Sequence, residues 1–451
     1  MGFKYFTVRN LRSSASVLSA AIPFQVRLLE TDSTVCVSPS LRSHLLRGIG
    51  FLLLAACIAS PLPAQTATGL SLHDVVQKAL ASPQVAVLDS EIAQVQAGIR
   101  QAGLGPNPKL YLSSEDIAPW SRTFDFANQT EDLGYIGQTI EIAGKRGKRV
   151  DLARARLDLS KADRTLKVNQ LIGRVTLAYW TAVSQQRIVN LLNEDIHAVD
   201  EIVRYNKERL DAGAARGVDL LRMQIERDRL AITLETAMRD ARQAKLDLFK
   251  QAGIESSDAA LIDPLDAVRE IQPADISVIL EQRSDILAAR AAVRAAEADL
   301  RLQRANAIPD PDFFGGYKRN TGDNTAYAGL QISLPFRNRN QGEVERARAA
   351  VTSAQAQLAA LEQQTKTEVE QAYSGYTAQR DIVQKTVPDM RQRARVNLQT
   401  ITEAYHLGGT DLLRLIDAQR TEFDVEVTAV RAMAQLQQAA TQLLLAYGVQ
   451  P

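Results

Sequence analysis

The side chains that most often do chemistry are few and scattered. The four histidines, His44, His73, His197 and His406, lie far apart, and no His/Cys cluster has metal-ligand spacing. No Ser/His/Asp arrangement and no phosphate-binding glycine loop occurs, so nothing points to catalysis or to a cofactor. Both cysteines, Cys36 and Cys57, fall before residue 65, which leaves the body of the chain without a disulfide or thiolate site. His406 near a glycine turn reads as a solvated turn residue rather than a metal ligand. What remains is charge. Arg414 and Asp417 stand one helical turn apart, beside Gly408-Gly409, where they could pair on a helix surface.

The elements that hold these residues come from a repeat. Asn107-Pro108-Lys109-Leu110 is answered by Asp310-Pro311-Asp312-Phe313. Gly217-Val218-Asp219-Leu220-Leu221-Arg222 is answered, 192 positions later, by Gly409-Thr410-Asp411-Leu412-Leu413-Arg414. A duplicated unit with some β-structure inside much helix follows, divided as residues 65–270 and 271–451. Residues 71–103 read as helix, started by Ser71, interrupted by Pro83 and ended by Gly103. Residues 133–142 alternate, with Ile136, Ile140 and Ile142 on one face. Ala326, Ala328, Leu330, Ile332 and Leu334 alternate with Tyr327, Gly329, Gln331 and Ser333. These are strands with one apolar and one polar face. Ten of the 24 aromatics fall in the two strand windows, which suits the interfacial girdles at the strand ends of a membrane barrel.

Residues 148–210 contain no proline. Val168, Ile172, Val175, Tyr179 and Ala182, then Val189, Leu192, Ile196, Val199 and Val203, form a coiled-coil seam. Such a helix is on the order of 90 Å long. A turn at Gly213–Gly217 and a returning helix to about Lys250 follow. The second repeat runs from Gln341 to about Leu407, turns at Gly408-Gly409, and returns from Thr410 to Tyr447; Pro388 is expected to kink or break the outgoing helix. Residues 253–275, with Pro264 and Pro273, read as a connector.

The N-terminus carries an export signal, with Arg42 and Arg47 before the apolar run at residues 48–58. Leu54-Ala55-Ala56-Cys57 resembles a bacterial lipoprotein box, which makes Cys57 a candidate for lipidation; cleavage after Ala64 is the competing reading. No methionine separates Met1 from Met223, and the signal starts far from Met1, so initiation near residues 35–41 is expected. With 53 basic and 52 acidic residues the chain has no global basic face for nucleic acid.

Two strands per repeat give four per chain, too few to close around a lumen, and an open edge cannot face lipid. Several chains must build the barrel, and the long helices would continue it as a tube. The chain resembles a TolC-type outer membrane efflux protein over residues 70–451. Ile140-Glu141-Ile142-Ala143-Gly144-Lys145-Arg146 and Leu334-Pro335-Phe336-Arg337-Asn338-Arg339-Asn340-Gln341-Gly342 resemble the strand-to-helix junctions of the cobalt–zinc–cadmium branch. The resemblance implies a homotrimer with a twelve-stranded barrel in the outer membrane lipid and a helical tunnel in the periplasm. It implies a periplasmic adaptor and a proton-driven inner-membrane pump of the resistance-nodulation-division (RND) class as partners, and no cofactor. It also implies a gate at the hairpin tips. Asp417 matches the constriction acid, Tyr405 a gate tyrosine and Asp219 its first-repeat partner, with Asp411 beside them. Arg414 stands where a second acid is usual, and Thr410 where a gate arginine is usual. Gly213, Gly217, Gly408 and Gly409 would be the adaptor contacts. A drug-efflux or type I secretion duct on the same scaffold is the first alternative. A non-channel coiled-coil envelope protein is the second.

Overall fold

The computed structural model describes residues 69–451 apart from 214, 215, 268, 321 and 322. The export signal and Cys57 lie outside the described residues. Helix α1 (Leu72–Leu80) begins at Ser71, whose hydroxyl accepts from the Asp74 amide while the Asp74 carboxylate reaches back to the Ser71 amide, a reciprocal capping box. Pro83 interrupts as expected, and opens α2 (Pro83–Ala102) in its first turn, where a missing N–H costs nothing. Gly103 ends that helix.

Strand β1 (Lys109–Glu115), a four-residue helix α3 (Phe126–Gln129) and strand β2 (Glu131–Thr139) follow; β3 (Pro311–Asn320) and β4 (Asp323–Ile332) come from the second half of the chain. The four strands form one antiparallel sheet in the order β1-β2-β3-β4, so the two halves of the chain join through β2 and β3. Strand β2 ends at Thr139, short of the expected Ile142. Ile140 donates a last bond to the Pro311 carbonyl, and the left-handed Ala143 (φ 58°) and Gly144 (φ 67°) then turn the chain into helix. Strand β4 likewise ends at Ile332 rather than Leu334.

The helices of the first hairpin are longer than the sequence windows, and those of the second end within a residue or two of theirs. Helix α4 (Lys145–Asp211) runs 67 residues without a break, about 100 Å, and α5 (Gly217–Ala252) returns beside it. Short α6 (Ile276–Gln282) and α7 (Ser284–Asn306) precede β3. Helix α8 (Gln341–Asp381) passes through one π-helical turn, 382–386, into α9 (Val387–His406), and α10 (Leu412–Ala446) returns. Pro388 therefore neither breaks nor ends the helix. The Val387 amide bonds to the Ile382 carbonyl five residues back, and this wider turn accommodates the proline ring and its missing N–H. Leu, Val and Ala from α1, α4, α5 and α10 make the main core, around buried Tyr179, whose hydroxyl donates to the Leu70 carbonyl. No helix among the described residues is long and apolar enough to cross a membrane.

The sheet-to-helix junction is held by charge. Lys145, at the start of α4, pairs with Asp310 at 2.7 Å, and Asp310 also accepts the Ile142 amide at 2.9 Å. Glu141 binds Arg149 through both carboxylate oxygens, and Arg149 in turn donates to the Ala102 and Leu104 carbonyls. In the second half of the chain Asn340, left-handed at φ 58°, donates to the Gln303 carbonyl at 2.8 Å. The conspicuous residues of the first junction motif thus hold the strand ends to α4, and Asn340 of the second holds the start of α8 to the end of α7.

Candidate functional site

The hairpin tips bring together most of the residues expected there. Tyr405, 6% exposed, packs with Val199, Met223, Leu412, Leu415 and Ile416 in a small apolar cluster that ties α4, α5, α9 and α10. Its hydroxyl donates to Asn206 at 2.5 Å. The expected partner was Asp219; the structure gives that place to Asn206 of α4. The Asn206 amide is occupied by the Ile202 carbonyl at 2.9 Å, which turns its oxygen toward Tyr405. Asp219 acts on Tyr405 through charge alone. Burial raises the Tyr405 phenol above its ordinary range, and Asp219 adds to that rise while Asn206 and Arg209 oppose it. The Arg209 guanidinium lies over the rings of both Tyr205 and Tyr405, at 5.7 and 5.8 Å. His406 packs edge-on against Tyr205, which gives it an aromatic contact.

Asp411 is a helix cap: its carboxylate accepts the Arg414 amide at 3.0 Å at the start of α10. Arg414 and Asp417 are both exposed, and among the described residues no ion pair joins them. The intrachain pair that their spacing allows is not formed. Of the four tip glycines, only Gly213 (φ 73°) and Gly408 (φ 76°) need to be glycine, because they take the left-handed turn conformation. A methyl group at Gly217 meets nothing, and one at Gly409 makes ordinary contact.

Behind the tips lies a charged layer that sequence reasoning missed. Glu226 of α5 is buried and held by Arg420 of α10 through two bonds, one of 2.7 Å. Glu226 is thus a cross-hairpin clamp. Arg391 of α9 grips Glu426 of α10 in the same two-bonded way, at 2.9 and 2.7 Å. Asp195 of α4 is buried and accepts from Gln419 at 2.7 Å. Burial raises its carboxyl above the ordinary range; the Gln419 bond opposes this, and nearby Glu226 and Asp424 add to the rise. Asn206 did carry a signal: it interrupts the apolar seam one step beyond Val203. The Glu226–Arg420 pair carried none, since it spans 194 positions.

The sheet is not as expected in one respect. Tyr111, Tyr135, Phe314 and Tyr327 cluster mid-strand, on the face opposite Leu330 and Ile332, rather than at the strand ends.

A four-stranded sheet with open edges, continued by helical hairpins of about 100 Å, is the protomer of a TolC-like channel. The family model described as outer membrane efflux protein matches residues 75–253 and 276–449, and the chain belongs to that family of non-enzymatic transport ducts. It is 25% identical over 411 residues to the cobalt-zinc-cadmium resistance protein CzcC of Cupriavidus metallidurans, covering 86% of this chain and 96% of that one. It is 24% identical over 387 residues to the outer membrane protein OprJ of Pseudomonas aeruginosa, covering 80% of each. Among solved structures, CusC superposes with a TM-score of 0.71 at 16% identity, covering 84% of this chain and 92% of that one. VceC of Vibrio cholerae superposes with a TM-score of 0.67 at 18% identity, covering 84% and 96%. The protein is an efflux channel of the outer membrane.

Proposed function

We propose that the chain is the exit duct of a tripartite system that expels divalent heavy-metal cations. Three copies would close a twelve-stranded barrel in the outer membrane. A periplasmic adaptor would meet the hairpin tips, and an RND-type inner-membrane pump would deliver the cations. The observation that carries the metal substrate is the likeness to CzcC along nearly that protein's whole length. The nickel and cobalt resistance protein CnrC of the same organism, 23% identical over 289 residues, adds to it. The unpaired strand edges of β1 and β4 favour assembly, because lipid offers no partner for backbone groups. The division into repeats 65–270 and 271–451 is part of the same reading. The duct itself needs no tight cation site, since a strong cage would retain ions.

A deletion strain tests the substrate. Growth should fail at lower zinc, cobalt, cadmium or nickel concentrations than in the parent, and the intact gene should restore it. Unchanged metal tolerance together with new sensitivity to organic compounds would shift the assignment to a drug-efflux duct. A secretion defect would shift it to type I secretion.

The gate reading has its own test. Three copies of exposed Asp417 around the narrow end would make a negative ring that attracts cations. Among the described residues of its own chain Arg414 forms no ion pair, and a neighbour's Asp417 is the group it would bind to hold the end shut. Asp417→Ala is expected to lower cation preference in planar bilayers, and Arg414→Ala to raise resting conductance. Exposed Glu235 of α5 is the control position; buried Glu226 would be a poor one. Wild-type conductance and selectivity in both variants would put the constriction elsewhere.

A further inference from the structure

The charged layer behind the tips is short of cations. Its carboxylates are Asp195 of α4, Glu226 of α5, and Glu422, exposed Asp424 and Glu426 of α10. Against them stand Arg391 and Arg395 of α9 and Arg420 of α10, and each is committed. Arg420 holds Glu226 through both carboxylate oxygens, Arg391 holds Glu426 in the same way, and Arg395 approaches Glu426 at 3.8 Å. Asp195 and Glu422 are left over: among the described residues neither forms an ion pair. Asp195 is 8% exposed, and it accepts instead from the neutral Gln419 amide of the other hairpin, at 2.7 Å. A buried carboxylate without a cation is costly when ionised and far less so when protonated. Burial raises Glu422 as it does Asp195; the charges of Glu426 and Asp195 add to the rise at Glu422, and Arg395 and Arg391 oppose it.

We propose that Asp195 and Glu422 form a proton-operated catch between the two hairpins: protonated, they let α10 seat against α4, and ionised, they drive the two apart. Seated hairpins then hold protons that separated hairpins, with ordinary carboxylates titrating near pH ~4, release. Seating is fully favoured below that range and weakens as pH rises through the raised values. A latch made of ion pairs would respond with the opposite sign and open in acid. The catch would make the tips sensitive to the pH of the compartment around them. That link to conduction rests on the gate reading above; the catch itself does not.

Hydrogen exchange of the solubilised full chain tests it, read at the α10 amides from Gln419 to Glu426. Results are expressed as protection factors, so that the intrinsic pH dependence of exchange drops out. Between about pH 4 and pH 8 protection in the wild type should fall roughly tenfold. Asp195→Asn with Glu422→Gln, which keeps both shapes and removes both protons' sites, should stay protected throughout. Each single variant should remove part of the dependence, so the test stands if the double variant does not assemble. Glu235→Gln, at an exposed position of α5, should behave as wild type. Protection that is flat in the wild type, that rises with pH, or that falls equally in the double variant overturns the catch. In planar bilayers the wild-type resting conductance should rise over the same range, while that of the double variant stays low. Falling protection with a flat conductance upholds the catch and overturns the gate reading instead.

Discussion

Asp310→Ala is expected to destabilise the protein by about 3–5 kcal/mol, because it leaves a buried charge without its partner. The Lys145 side chain is only 8% exposed and its ammonium meets Asp310 at 2.7 Å. The same carboxylate satisfies the Ile142 amide at the point where strand becomes helix. Removing it orphans a charge and a backbone donor together. Asp310→Asn should fall between the two, since an amide oxygen can still accept from Ile142. Denaturant midpoints of the solubilised protein would measure the series. An alanine variant within about 0.5 kcal/mol of wild type, the scatter of an ordinary surface change, would mean that the junction is not held by this pair.

The second large effect concerns the sheet. Leu330→Arg should cost about 2–4 kcal/mol near the bilayer midplane and abolish normal insertion. Leu330 is 53% exposed in the single chain and shares its face with Leu110, Leu112, Ile136, Phe313 and Ile332. Gln331→Arg, one residue on and therefore on the opposite face, should be tolerated. Outer membrane fractionation and trimer bands on semi-native gels would report both. If the two variants assemble equally well, the apolar face does not meet lipid.

The long helices were legible because their signals are local. Ser71, Pro83 and Gly103 act within a turn of where they stand, and the seam from Val168 to Val203 repeats at helical spacing. The strands were legible for the same reason, from alternation around Leu330. What was not legible depends on register or on distant elements. Alternation within β1 and β2 cannot say that Tyr111 faces Tyr135, and without that register the aromatics looked like interfacial girdles. The tip resisted for a similar reason. Tyr405 was recognisable, but its partner depends on how α4 and α9 are phased, and that phase presents Asn206 rather than Asp219. Arg420 and Glu226 meet only once α5 and α10 lie near each other.

The π-helical turn before Pro388 makes the two hairpins mechanically unequal. Helix α4 is an uninterrupted strut from the sheet to its tip. Its counterpart has a compliant joint with twenty residues of α9 beyond it, a lever about 30 Å long. A bend of ~10° at that joint would carry Gly408 roughly 5 Å sideways on this lever while α8 stays seated. One protomer thus pairs a stiff leg with a jointed one.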